Sequence, residues 1–384
     1  MTHTKITELV SRVKDAYPSE RIDASKRRLR AVFDGKPADD YVPFVFRSMP
    51  FPSDPDLATH AHETTHEDAL LFQLGQILDR SVLCDDYVPG LFPGLRQVTI
   101  PSILGAREVA SGGHNWVESV IRGPEDVRNL PEPNYGPDNM AGFMLERARY
   151  FQDMTGGEIS VRIPDLQGPF SVASQLWGAQ DFFLALYEHP DEAGELLRRT
   201  TEATVGYVRL LKEAIGENLA PIHCLYEGWM PSDAGICISE DLIAVVSPAI
   251  FREWIAPGLA ELGRSFGACY VHTCGDMVPC LDALMAVPNL RGMNFATSET
   301  DIAAVAARTG STRVLFPHTS PVASPHLRLL SAEEHARLCF SVFREHNVPG
   351  FVFINCPPDL SPSDSRLVDL ADQIREWAST PGGH

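Results

Sequence analysis

Residues 248–275 read PAIFREWIAPGLAELGRSFGACYVHTCG. The first twenty carry apolar residues at helical spacing and stop at Gly267, which predicts an amphipathic helix. The next four, Ala268 to Val271, are a short apolar run that predicts a buried strand, and Gly275 breaks it. A helix feeding directly into a buried strand is half of a β/α unit, and the same alternation recurs on both sides. Further strands are expected at 158–166, 219–228, 290–296, 312–318 and 350–356. Helices are expected at 181–216 and 331–347, the second opening on a Ser-x-x-Glu capping box. Strands joined by crossover helices form a parallel sheet, and this many units predict an α/β fold closed into a (β/α)8 TIM barrel. Such a barrel keeps its chemistry at the C-terminal ends of its strands.

The first 150 residues differ in texture, with a basic helical segment at 24–33 and Pro- and Gly-rich loops such as VPGLFPGLRQVTIPSILGA at 88–106. No linker separates them from the rest, so residues 1–384 are expected to form a single domain. Residues 1–150 then supply an N-terminal elaboration and the first barrel units. The formal charge is −19, from 32 Lys+Arg against 51 Asp+Glu, which opposes nucleic acid as a partner. The chain has neither an apolar run of membrane-spanning length nor a signal-peptide core at its start, so a cytoplasmic location without membrane association is expected. Eight scattered cysteines do not form a disulfide framework, and a cysteine counts as a ligand only beside partners of suitable kind and spacing. Neither a phosphate-binding P-loop nor a strand-coupled dinucleotide fingerprint is present.

Two stretches compete for a metal. His62-Glu63-Thr64-Thr65-His66 spells the H-E-x-x-H of zinc proteases, and on a helix its histidines would share one face. The residues that follow simply continue an amphipathic helix, with Leu70, Leu74, Ile77 and Leu78 on one side and no third ligand in evidence. His272 and Cys274 have the better context. At i and i+2 of a strand they share a face, and they end an apolar run just before Gly275. Cys356 closes the last expected strand in the same way. One imidazole and two thiolates would make a three-ligand zinc site with an open, catalytic position.

The order of several segments resembles the uroporphyrinogen decarboxylase superfamily, and within it the zinc-dependent methyltransferases that move methyl groups between methylcobalamin and a thiol of the coenzyme M type. SKRRLRAVFDGKPADDYVPF is similar to the family's opening helix and entry strand, and GPFSVASQLWGAQDFFLALYEHPDEAGELL (168–197) to its Gly-Pro-Phe segment. EDLIAVVSPAIFREWIAP (240–257) resembles its Ser-Pro helix entry, VHTCGDM its His-x-Cys-Gly motif, and GFVFINCPPDLSP its closing strand. The Arg-Gln-Ala-Gly-Arg-Tyr segment of the decarboxylases themselves is missing.

The resemblance implies zinc held by His272, Cys274 and Cys356, although the family cysteine sits a couple of positions later, where this chain has Pro357-Pro358. It also implies a thiol substrate held as thiolate, attacking a methyl group carried by a corrinoid. No Asp-x-His-x-x-Gly corrinoid signature occurs, so cobalamin would arrive on a separate corrinoid protein or free. Glu227 is the candidate fourth ligand or general base, with His223 behind it. Trp229 and Met230 offer a flat wall to substrate or cofactor, and His318 ends a strand that faces the same mouth. Two other readings stay open: a decarboxylase or lyase using His272 and Glu227 as acid and base on a small acid, and a corrinoid- or metal-binding barrel without turnover.

Overall fold

The computed structural model describes residues 2–47, 65–111, 114–223, 227–357, 360 and 364–379. Its parallel strands are β1 (Phe44–Arg47), β2 (Gly90–Leu91), β5 (Ser160–Arg162), β6 (Leu219–Ala220), β7 (Ile236–Ser239), β8 (Cys269–His272), β9 (Leu290–Asn294), β10 (Val314–Leu315) and β11 (Val352–Asn355). An antiparallel hairpin, β3 (Glu108–Ser111) with β4 (His114–Val117), rises from the loop after β2. The strands pair as β11–β1, as β2–β5–β6 and as β7–β8–β9–β10. Main-chain bonds join these groups into a ring, among them Asp86 N to Phe44 O at 2.9 Å, Cys237 N to Pro221 O at 3.0 Å, and Leu315 N to Pro349 O at 3.0 Å. This is the expected (β/α)8 barrel. Strands such as Phe44–Arg47, Ile236–Ser239 and Cys269–His272 are buried along their whole length, as parallel strands covered on both faces must be.

The fourth barrel position departs from expectation. The strand expected over 219–228 is only two residues long, and β7, not anticipated, occupies the upper part of the same position, bridging Ser239 to Gln167. Between them, at Gly228, the chain lies inside the ring. A Cβ on Gly228 would lie 2.7 Å from the Phe353 ring of β11 and 2.8 Å from Ile222 beside β6, and only an interior residue can touch both sides of a barrel. The excursion then descends. Trp229 meets Lys26 and Asp233 pairs with Arg30, both on the helix Ser19–Phe33, whose Phe33 closes the N-terminal end against Tyr270 at 5.2 Å and Phe351 at 5.7 Å.

The long helix expected over 181–216 is two, Ala179–Glu188 and Pro190–Ile215. Pro190 lacks an N–H and pushes His189 out of helical geometry, so the break falls where proline chemistry puts it. The capping box at Ser331 and Glu334 is present as read. In the helical run from Pro248 to Phe266, residues Phe251–Ile255 widen into a π turn just before Pro257. Among the described residues no helix is long and apolar enough to cross a membrane.

Candidate metal centre

Strand β8 delivers His272 to the C-terminal end of the ring, with Ser239 of β7 and Asn294 of β9 as its register partners on either side. Two residues past β7, Asp241 reaches across. Its Oδ1 lies 3.6 Å from His272 Nε2 and accepts the Cys274 main-chain N–H at 2.8 Å, and Ser239 Oγ donates to its other oxygen at 3.1 Å. His272 Nε2 stands 3.3 Å from Cys274 Sγ. The three donor atoms lie within 4.8 Å of one another. Tetrahedral ligands at zinc distances of about 2.0–2.3 Å sit roughly 3.3–3.8 Å apart, so this O, N and S set fits a Zn²⁺ ion with a position left over.

The frame around the cluster is built from main-chain geometry. Gly275 has φ +86°, and its N–H is accepted by Glu299, whose other oxygen takes the Ser320 hydroxyl at 2.6 Å. Between β7 and Asp241, Glu240 donates its main-chain N–H to His272 O at 2.8 Å. Its carboxyl turns the other way, accepting from Ser171 N at 2.9 Å, Phe170 N at 3.1 Å and Ser171 Oγ at the start of the helix Pro169–Trp177. Gly168 is required there, because a Cβ would meet Glu240 Oε2 at 2.2 Å. Burial pushes the Glu240 carboxyl up to about 8 against those hydrogen bonds.

Burial lowers the His272 imidazole, with the Asp241 carboxylate and Asn294 opposing, so the ring beside Asp241 is neutral at pH 7 and the two do not form an ion pair. Cys274 keeps solvent access as a residue, but its sulfur turns inward. Burial, then the Asp241 and Glu299 carboxylates, raise that thiol. Without a cation the cluster therefore holds its thiol proton, and a cation would displace it, since only thiolate ligates.

The other residues singled out from sequence are distributed around this centre. His223 stacks on His272 with ring centroids 4.4 Å apart, and His318 stands 5.6 Å away. Burial, then the neighbouring His272 and Arg47, hold both well below the usual imidazole range. Cys356 is not brought into the cluster. Its N–H bonds Arg47 O at 3.1 Å at the end of β11, and burial pushes its thiol up to about 11, with the Arg80 guanidinium opposing. Glu227 forms an ion pair with Arg80, which also holds Asp85 and stacks on Tyr87. Trp229 sits over Lys26 on the N-terminal side of the ring rather than at the mouth. In the rival stretch, His62 and Glu63 lie outside the described residues. The helix that follows begins at His66 with Thr65 as its N-cap, so it does not run back to carry both histidines on one face, and His66 Nδ1 accepts from Arg147 Nε at 3.3 Å.

The profile of the uroporphyrinogen decarboxylase (URO-D) family matches residues 98–324. The chain belongs to that family. Among solved structures, a methyltransferase from Methanosarcina mazei is similar to this URO-D member over 91% of this chain and 99% of its own, at 16% identity and a TM-score of 0.66. At that identity the likeness speaks for a shared fold. A putative vitamin-B12-independent methionine synthase from Listeria monocytogenes aligns over 88% of this chain and 96% of its own, at 10% identity and a TM-score of 0.44. No curated protein matches the chain.

Asp241, Asn294, Glu240 and Glu299 were not picked out from the sequence of this URO-D member. The run GICISED, apolar residues closing on two acids, has the same form as ACYVHTC and is the signal that marks Asp241. Asn294 lies inside the strand expected over 290–296 and Glu299 just past it, and neither has a spacing signature of its own.

Proposed function

We propose that this barrel holds a zinc ion on Asp241, His272 and Cys274 and transfers a methyl group to or from a thiol seated in the ion's open position. The observation that carries the reading is the convergence of three donor atoms within 4.8 Å at the C-terminal end of β8, one of them a neutral imidazole. Bound there, the cation would supply the positive charge that keeps a substrate thiol as thiolate at neutral pH. The Asp241 carboxylate, with Glu299 close by, favours a cation at the site, and Cys274 would add a further negative charge once the cation displaces its proton. His223 and His318 wall the site with buried neutral rings that exclude water. In the transfer a sulfur–carbon bond forms as the donor–methyl bond breaks, and its electron pair stays with the donor. The donor we infer is a corrinoid brought by a separate protein or free in solution. The methyltransferase name of the Methanosarcina relative supports the reaction class. The Glu227–Arg80 ion pair weighs against Glu227 as ligand or base, and so against the lyase reading.

Metal analysis by plasma mass spectrometry tests the reading directly. Near-stoichiometric zinc is expected in the wild type, to be lost in His272→Ala, Cys274→Ala and Asp241→Ala and kept in Cys356→Ala. Methylcobalamin with added thiols, followed by its visible spectrum, should then show demethylation. Folded wild-type protein that neither contains nor takes up zinc overturns the proposal.

A further inference from the structure

Asn294 ends β9 fully buried, opposite His272 in the β8–β9 register. Its two amide atoms have different neighbours. Nδ2 donates to the main-chain carbonyl of Phe316, and Oδ1 lies 2.6 Å from His272 Nδ1. A carbonyl oxygen can only accept, so the amide nitrogen must face Phe316 and the amide oxygen must face the imidazole. That oxygen also only accepts, so Nδ1 must carry the ring hydrogen. An imidazole that ligates a metal keeps one N–H, and the other nitrogen, Nε2, then supplies the lone pair. Nε2 is the atom 3.3 Å from Cys274 Sγ and 3.6 Å from Asp241 Oδ1.

We infer that Asn294 is the positioning residue that fixes His272 in its metal-binding tautomer and aims Nε2 at the Asp241–Cys274 pair. The inference rests on the zinc reading for its purpose and on hydrogen-bond polarity alone for the tautomer. The Phe316 carbonyl is itself held, because Phe316 N donates to Met293 O at 3.1 Å, so the order runs from the main chain of β9 and β10 through one amide to one ring. A serine or water at Asn294's place could donate as well as accept and would leave both tautomers available. The amide, pinned on its donor side, leaves one.

Two variants separate this role from a structural one. Asn294→Asp keeps an acceptor for His272 Nδ1 but loses the donor to Phe316 O, whereas Asn294→Ala loses both. Zinc affinity by chelator competition should fall about 10–100-fold in Asn294→Ala and stay within a few-fold of wild type in Asn294→Asp, while both variants melt earlier. In metal-free wild-type protein labelled with ¹⁵N-histidine, the His272 nitrogens should show a protonated Nδ1 and an unprotonated Nε2. A proton on Nε2, wild-type affinity in Asn294→Ala, or zinc loss in Asn294→Asp equal to that in Asn294→Ala would each overturn the inference. If the wild type binds no zinc, the functional reading fails by itself and the nitrogen spectrum still decides the tautomer.

Discussion

Asp241 accepts the main-chain N–H of Cys274 at 2.8 Å with the same oxygen that faces His272 Nε2. One carboxylate thus both offers a ligand atom and holds a neighbouring ligand in place. Asp241→Asn keeps an oxygen that can accept from Cys274 but removes the charge. We expect zinc binding to weaken at least about tenfold in chelator competition, with metal-free melting close to wild type. Asp241→Ala also releases the Cys274 main chain, and both quantities should fall.

Gly275 follows Cys274 at φ +86°, and a Cβ there would lie 2.7 Å from Ala244 Cβ. Gly275→Ala therefore meets both a backbone penalty, about 1–2 kcal/mol for the left-handed region, and a collision with the segment that follows Asp241. The expected result is a lower denaturation midpoint together with weaker zinc binding, read on the same samples by urea unfolding and chelator competition. Unchanged zinc affinity would show that the turn does not position the cysteine.

His335 is buried away from solvent, donates Nε2–H to Phe353 O at 3.1 Å and takes the Thr297 hydroxyl on Nδ1 at 2.8 Å. Burial pushes its pKa down from 6.5 to about 4, the Phe353 carbonyl opposing. The unfolded chain binds the extra proton first as pH falls, so the stability is intact above about 6.5, declines below it, and is lost once pH passes about 4. The total is about 3 kcal/mol, with a slope of up to about 1.4 kcal/mol per pH unit. His335→Gln should flatten the pH dependence of urea unfolding by about that slope between those limits. His223, His272 and His318 are depressed in the same sense, and Glu240, raised to about 8, contributes in the opposite sense.

Glu227 pairs with Arg80, a guanidinium 1% exposed. Removing one member of a buried pair strands the other, so Glu227→Gln should destabilise the fold by about 3 kcal/mol, less whatever Asp85 recovers. Zinc content should be unchanged. Lost zinc at wild-type stability would instead return Glu227 to the ligand set.

The barrel and two of the three clustered donors were legible in the sequence because each rests on a short-range pattern. ACYVHTCG carries its strand, its break and its donors within eight residues, and the helix before it has a clear period. Asp241 was not legible by the same means, since it follows β7 and meets His272 only through lateral pairing of β7 with β8. The expected strand 219–228 failed for a related reason: an apolar run closing on Glu227 suits an interior excursion as well as a strand, and only the far wall at Phe353 distinguishes them. Cys356 falls just past the end of the last strand, and its height and side of the ring depend on barrel geometry rather than spacing. Trp229 shows the limit of placing a residue by its distance past a strand, because the chain had already turned toward Lys26.

The two walls around Gly228 are also made far apart in time. Its near wall, Ile222, is synthesised just before it, but its far wall, Phe353, emerges more than a hundred residues later. A nascent chain halted before β11 therefore lacks the Phe353 wall on that side of Gly228. Translation finishes the barrel with the strand that shuts its interior.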